Sequence, residues 1–425
     1  MACEWAKSTV GEVSQRVTKG TTPTTIGGRF TETGVTFVKV ESITEDGRFD
    51  RAKFAFVDDE TNRLLTRSVL EEDDILFTIA GTIGRVARVA REILPANTNQ
   101  AVAIIRPNPN VIDPRFLYYV LRDDVRVKHA QTRVVQSVQA NFSLAELSAV
   151  EVPLPPLREQ RAIAYILGTL DDKIELNRRM NETLEQMARA LFKAWFVDFE
   201  PVCAKMEGRW KKSQSLPGLP AHLWDLFPDR LVDSELGKIP EGWEVGTLRD
   251  FAEVTSGKRP RQVFPEAIPE AAIPLWGGNG PMGYVNEQLY SRPILLTGRV
   301  GTLGSVFRIS TPCWPSDNTL IVLPRTERVF EYLYFCMKSF DFEALNRGST
   351  QPLITQTDLK NQNLLIPPDD VLHEFHRLAT ACFKKIDRAN NESYTLSALR
   401  DVLLPKLIRG EIRVKDAERF VQSAL

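Results

Sequence analysis

Three places in this chain carry residue types at spacings that could do chemistry. Gly278-Asn279-Gly280-Pro281-Met282-Gly283 has the GxGxxG spacing by which backbone amides at a helix start cradle a pyrophosphate. Pro281 lies inside it and the residues from Tyr284 read as strand, so dinucleotide binding is not expected. His373-Glu374-Phe375-His376 places two imidazoles three apart at the start of a helix, but no third ligand accompanies them. A solvated helix face is the expected reading there. Asp229, Glu235 and Lys238 are the residue types of a metal-dependent nuclease, yet only two residues separate the glutamate from the lysine, in a turn-rich stretch. No GxxxxGK[ST] loop occurs to hold ATP, nor does the Asn/Asp-Pro-Pro-aromatic stretch of amino-methylating enzymes. No catalytic group, metal or cofactor is therefore expected, and the chain reads as a binding or spacing device.

The elements that carry these residues are written twice. Gly81-Thr82-Ile83-Gly84-Arg85-Val86-Ala87-Arg88-Val89 returns 220 positions later as Gly301-Thr302-Leu303-Gly304-Ser305-Val306-Phe307-Arg308-Ile309. Around it, Asn99 to Ile104 pairs with Asn318 to Leu323, Ser137-Val138-Gln139 with Ser349-Thr350-Gln351, and Leu154-Pro155-Pro156 with Ile366-Pro367-Pro368. Trp5 leads to Gly20 as Trp243 leads to Gly257. Two tandem units of about two hundred residues follow, far longer than solenoid or propeller repeats.

Within each unit the texture changes at the double proline. Before it, Thr36 to Val40, Ile75 to Ile79 and Ala101 to Ile105 read as strands and Phe116 to Arg122 as a short helix. Ser143-x-x-Glu146 and Thr355-x-x-Asp358 have the spacing of a helix-start capping box. After it, Leu157 to Phe196 has one glycine, no proline, and a heptad seam: Ile163, Leu167, Leu170, Ile174, Asn177, Asn181, Leu184, Ala188 and Leu191. Adding 212 gives Phe375, Ala379, Cys382, Ile386, Ala389, Ser393, Leu396, Arg400 and Leu403, with Leu399 expected to substitute for Arg400. A forty-residue helix is roughly 60 Å long, and one narrow apolar stripe on it needs a partner, the obvious one being its own repeat. The seam asparagines would fix register at some cost in stability. The residues between, Val197 to Glu244, are rich in proline and tryptophan and read as a structured connector.

Composition sets modest limits. The 425 residues are 43% hydrophobic and 26% charged, as in an ordinary soluble globular chain, and no uncharged apolar run approaches membrane-spanning length. Five scattered cysteines suit reduced thiols in a cytoplasm. Net charge is −1, which says nothing in favour of nucleic acid.

The sequence nevertheless resembles the specificity subunit of type I restriction-modification enzymes over nearly its whole length. The resemblance rests on Gly81 to Arg85, Asn99-Gln100, Gly348 to Gln351 and Pro155-Pro156-Leu157-Arg158-Glu159-Gln160-Arg161-Ala162-Ile163. It extends to Phe196-Val197-Asp198-Phe199-Glu200-Pro201 and Leu236-Gly237-Lys238-Ile239-Pro240-Glu241-Gly242-Trp243. The first unit departs from it at Val134 to Gln139, where the family has Gly-Ser-x-Gln, and the second helix begins Pro368-Asp369-Asp370 without the usual glutamine. The resemblance implies an α+β fold: two mixed α/β target recognition domains in tandem, separated by two long helices that pair as an antiparallel coiled coil. Its boundaries would be a first recognition domain over 1–152, first helix 153–197, connector 198–244, second recognition domain 245–365, second helix 366–410 and tail 411–425. It also implies a cytoplasmic, noncatalytic subunit. Double-stranded DNA, two DNA adenine methyltransferase subunits and restriction/translocase subunits would be its partners, with no membrane. Each domain would read half of a bipartite asymmetric target, the halves about one helical turn, roughly 34 Å, apart.

Residues 1–150 carry 19 Lys/Arg against 19 Asp/Glu and residues 237–365 carry 13 against 13, so any positive surface must be local. Phosphate contacts supply much of DNA affinity, whereas Arg to guanine and Asn or Gln to adenine supply discrimination. The candidates are Lys19, Thr21, Thr22, Arg29, Arg85, Asn97, Lys128 and Arg133 in the first unit, and Lys258, Arg259, Arg261, Asn279, Arg299 and Arg347 in the second. Patterns shared by two unlike readers should be scaffold, and base-specific residues should lie where the copies disagree, as at Arg85 against Ser305.

Overall fold

The computed structural model describes residues 5–123, 142–301, 303–348 and 350–417. They fall into two compact units, Met1–Leu176 with Glu392–Leu425, and Asn177–Asn391. Lys128 and Arg133 lie outside the described residues.

In the first unit, β1 (Ser14–Lys19), β2 (Ile75–Thr78), β3 (Val86–Arg88) and β4 (Val102–Pro107) form an antiparallel sheet in the order β1-β4-β2-β3. The unbroken apolar runs of β2 and β4 reflect burial on both faces. Alternate residues divide between two cores: Ile75, Phe77, Ala103 and Ile105 pack with the helix Pro114–Arg122, and Leu76, Val102 and Ile104 pack on the other side. A smaller sheet of Phe30–Thr31, Val35–Val38, Ala55–Val57 and Ala96–Thr98 lies beyond that second core, with Val35–Val38 parallel to Ala96–Thr98.

The second unit repeats the larger sheet. Its strands are β5 (Ala252–Ser256), β6 (Ile294–Gly298), β7 (Val306–Ile309) and β8 (Thr319–Pro324), in the order β5-β8-β6-β7. Alternation recurs, with Leu295, Leu320 and Val322 in one core and Ile294, Leu296 and Ile321 in the other. Its smaller sheet has three strands, Gly280–Val285, Ile273–Gly277 and Trp314–Pro315. Strand therefore begins at Gly280 rather than Tyr284, and Pro281 is accommodated because its strand is an edge with a register shift at Leu275/Trp276.

Each head is closed by a two-stranded ribbon, Ala6–Thr9 with Glu151–Leu154 and Glu244–Thr247 with Asn363–Ile366, from which the double proline leads into a helix. Both capping boxes form, at Ser143/Glu146 and Thr355/Asp358. Gln160, 1% exposed, fastens the first exit: its amide nitrogen donates to Pro155 O at 2.8 Å and its oxygen accepts from Asp113 N at 2.8 Å. Leu372, which is buried, stands 212 positions later.

The helices α1 (Leu157–Phe196) and α2 (Asp369–Ile408) are each 40 residues long and run antiparallel. In the first unit Asp171 bonds Arg400 at 2.7 Å and Lys173 faces Glu392 at 3.3 Å, one number rising as the other falls. Ile163, Leu167 and Leu170 of α1 share a core there with Leu396 and Leu403 of α2, and Ile174 packs against it. In the second unit Asn177, 1% exposed, donates to Ala389 O at 3.4 Å, and the Asn181 amide donates to Asn390 Oδ1 at 2.7 Å. Leu184 is half-buried, and Leu191 and Ile386 pack against a core that includes Phe375. Leu399 does not replace Arg400. Both are used, Leu399 against the core and Arg400 in its ion pair, where its side chain is 14% exposed.

The Arg400–Asp171 pair links the helices inside the first unit, and Tyr119 adds its hydroxyl to the same carboxylate at 2.7 Å. Replacing Arg400 by Ala leaves a largely buried carboxylate with less compensation, so Arg400→Ala should lower the stability of the first unit by about 2–4 kcal/mol. Chemical denaturation of the single variants and of Arg400→Met with Asp171→Leu checks this, the apolar pair recovering most of the loss.

Candidate nucleic-acid interface

Strand register brings the described sequence candidates of each head, Arg29 excepted, to one sheet end. In the first head Lys19 pairs with Ala103, and Thr78 with Val102, so the loop after β1, the turn after β2 and the segment before β4 emerge together. In the second, Ser256 and Thr297 both pair with Leu320, which gathers residues 257–261, 299–301, 303–305 and 314–318.

The loop crossing is fixed by glycine in both copies. A Cβ on Gly20 would sit 2.1 Å from Thr98 O, and one on Gly257 2.1 Å from Ser316 O. Thr21 N then donates to Thr98 O, and Lys258 N to Pro315 O. The GTxG turns bend through Gly81, Gly84, Gly301 and Gly304, all at φ between 74° and 93°. A fourth segment reaches the same end, since Phe142 N donates to Ile79 O and Ile354 N to Arg299 O.

The candidates differ in what they present there. Lys19, Lys258, Arg259, Arg261 and Asn279 are exposed, Thr21 is half-buried, and the Thr22 hydroxyl bonds Gln100. Arg299 is half-buried at the start of its turn. Arg347 lies on the adjacent segment with its guanidinium on Asp358 at 2.7 Å, which holds that carboxyl below its usual range. Arg29 is elsewhere, at the Val35 end of the smaller sheet, bonded to Asp58 at 2.9 Å. Hydrogen bonds from Thr61, with the Arg29 guanidinium, bring the Asp58 carboxyl down to about 2. Asn97 is 0% exposed, its amide nitrogen donating to Asn62 Oδ1 at 3.0 Å and to Leu65 O at 3.3 Å, and its oxygen accepting from Thr98 N at 3.0 Å. No edge of that amide is left for a base, so Asn97 belongs to the scaffold. Arg85 is largely covered, and its guanidinium donates to Ile43 O at 2.8 Å.

The three stretches with chemically suggestive spacing take other roles in the fold. Gly278-Asn279 is a two-residue hairpin turn between strands, with no helix behind it. Asp229 precedes the hairpin Leu231–Ser234/Gly237–Pro240 while Glu235 sits in its turn at the other end, and Lys238 bonds Asp233 at 3.0 Å. His376 departs from the solvated face expected of it: it is 22% exposed and 2.6 Å from Glu331, a carboxylate 1% exposed that Arg308 approaches at 3.7 Å. Among the described residues no cluster of three or more His, Cys, Asp or Glu could hold a metal, and no helix is long and apolar enough to cross a membrane.

The family model of the type I restriction modification DNA specificity domain matches residues 3–186 and 240–380, one stretch across each head. The chain belongs to the type I restriction-modification DNA specificity family. It is 26% identical over 409 residues to the type I restriction enzyme HindI specificity subunit of Haemophilus influenzae, covering 81% of this chain and 88% of the relative. It is 29% identical over 372 residues to the MjaIX specificity subunit of Methanocaldococcus jannaschii, covering 82% and 79%. In fold it is similar to the crystal structure of a type I restriction-modification S subunit from M. genitalium, with a TM-score of 0.58 at 17% identity over 95% of this chain and 96% of that one. The tandem heads and paired long helices are those of a specificity subunit.

Sequence reading missed what lies off the heptad seam and off the motifs. Phe192, Trp195 and Phe196 end α1 as an aromatic plug, Phe196 lying 4.9 Å from Tyr332 and 5.0 Å from Phe375 between ring centroids. The signal was present as three large aromatics in the last five residues of the helix.

Three substitutions probe the scaffold. Gly20→Ala forces the loop off Thr98 O and should cost about 2–3 kcal/mol, whereas Gly81→Ala, with open space but positive φ, should cost about 1–2 kcal/mol. Asn97→Ala should destabilise the first unit by about 1–3 kcal/mol while leaving the salt dependence of DNA binding unchanged. Thermal unfolding and salt titrations of binding check these.

Proposed function

We propose that this specificity subunit is noncatalytic, that each head reads one half of a bipartite, asymmetric double-stranded DNA target, and that the paired helices set the half-site spacing and dock two DNA adenine methyltransferase subunits. Restriction/translocase subunits complete the assembly, and methyl transfer, translocation and cleavage belong to these partners. The first recognition domain spans 1–152 and the second 245–365. The helices α1 (Leu157–Phe196) and α2 (Asp369–Ile408), shorter than the expected 153–197 and 366–410 because strand and double proline precede each, pair through Ile163, Leu167, Leu170, Ile174, Asn177, Asn181, Leu184, Leu191, Phe375, Ile386, Leu396 and Leu403.

One observation carries the reading. Both heads bring the same loops to the same sheet end over the same glycine crossing, yet fill them differently, with Lys19-Gly20-Thr21-Thr22 in one and Gly257-Lys258-Arg259-Pro260-Arg261 in the other. A common frame with unlike side chains suits two readers of unlike sequences. Exposed Lys19, Lys258, Arg259 and Arg261 would take phosphates or guanine edges, and Asn279 an adenine edge.

Mapping of methylated adenines in cells expressing this chain with its methyltransferase, against the methyltransferase alone, should give a chain-dependent split motif. Exchanging residues 1–152 for those of another specificity subunit should then change one half of the motif only. A formed complex with an active methyltransferase but no chain-dependent motif would overturn the reading.

A further inference from the structure

A cation that the sequence motifs do not single out stands at the reading end of the first head. Strand Val35–Val38 runs parallel to Ala96–Thr98, with Val38 opposite Thr98, so Lys39 emerges beside the Thr98 carbonyl that receives Thr21 N. In the second head Ile273–Gly277 runs parallel to Trp314–Pro315, with Trp276 opposite Pro315. The matched hydrogen bonds from Thr21 N to Thr98 O and from Lys258 N to Pro315 O equate Thr98 with Pro315, and therefore Val38 with Trp276 and Lys39 with Gly277.

At this equivalent point the heads diverge. The second turns back within two residues, Gly278-Asn279, whereas the first continues through Lys39 to Asp50 before returning, closed by Asp50 N on Ser42 O and by the Ile43–Phe49 bridge. Arg85 holds the base of that excursion through Ile43 O at 2.8 Å and lies 3.7 Å from Glu45. The second head has no such excursion to hold, and Ser305 stands where Arg85 does. The Lys39 ammonium rests 4.9 Å from the centroid of the half-exposed Phe30 ring and 4.0 Å from Glu41, on a side chain 32% exposed. That is a cation held at the surface by an aromatic face and one weak ion pair.

We propose that Lys39 contacts DNA in the first half-site, and that Arg85 is a positioning residue acting through the Lys39–Asp50 excursion rather than a contact itself. This rests on the DNA-reading function above. It assigns the difference between the two readers partly to an inserted turn and not only to exchanged side chains on a common frame.

The test presents the complex of full-length chain and methyltransferase with a randomised duplex pool, then measures affinity for the enriched duplex across a salt series. Lys39→Ala and Lys39→Gln should weaken binding roughly fivefold to tenfold and lower the salt slope by about 1. Preference should relax in one half-site only, with unchanged thermal unfolding. Arg85→Ala should weaken the same half-site, Arg85→Lys should restore part of the loss, and the Lys39→Ala/Arg85→Ala double variant should lose less than the product of the single losses. A wild-type complex that enriches a split motif, with Lys39 variants equal to it in motif, affinity and slope, overturns the proposal. Strictly multiplicative losses overturn the positioning role of Arg85, and a wild-type complex that enriches no motif overturns the DNA-reading function itself.

Discussion

A helix of forty residues with a single narrow apolar stripe is not stable alone in water, because too little of its surface is buried to offset the ordering of its chain. Here two such helices exist, and each satisfies the other. The consequence reaches into the heads, since Ile163, Leu167 and Leu170 of α1 and Leu396 and Leu403 of α2 are also walls of the first head's core. Phe192 and Phe196 of α1 and Phe375 of α2 do the same in the second. Neither head is closed without residues from both helices.

The second constraint is register. Because side chains alternate along β2 and β4, one sheet serves two cores, and its strands cannot slip without exchanging the contents of both. Fixing register also fixes where the strand ends lie, which is what brings loops distant in sequence to one edge. Gly20 and Gly257 are bound to this arrangement, since only a residue without a side chain can pass over the neighbouring carbonyl at that distance. The frame is therefore rigid at the place where the loops diverge.

The fold was largely legible in the sequence because its signals are long or duplicated. The heptads over Leu157 to Phe196, the GTxG turns and the double prolines each have a physical meaning that a second copy repeats. The candidate interface was less legible, because a residue's type does not reveal whether its polar atoms are already used. Asn97 has the right chemistry for adenine but spends it on Asn62, Leu65 and Thr98. Arg85 lies where the copies disagree, as a reader should, yet its guanidinium meets a backbone carbonyl, and Arg29 meets Asp58. His376 looked solvated because its partner Glu331 lies 45 positions away and is itself buried. Lys39 carried no motif at all; its place follows only from a parallel strand pairing that no local pattern encodes.

The two compact units differ in how the chain supplies them. Asn177–Asn391 is continuous, whereas the first unit joins Met1–Leu176 to Glu392–Leu425, and Trp5 packs on Gly410 across that gap. During ribosomal synthesis the first head emerges early but lacks Leu396, Leu403, Leu407 and Ile408 for its core until the whole second unit has been made. The order of completion is thus the reverse of the order of translation: the downstream unit can close first, and the upstream head waits, with part of its apolar wall uncovered, for the last helix to arrive.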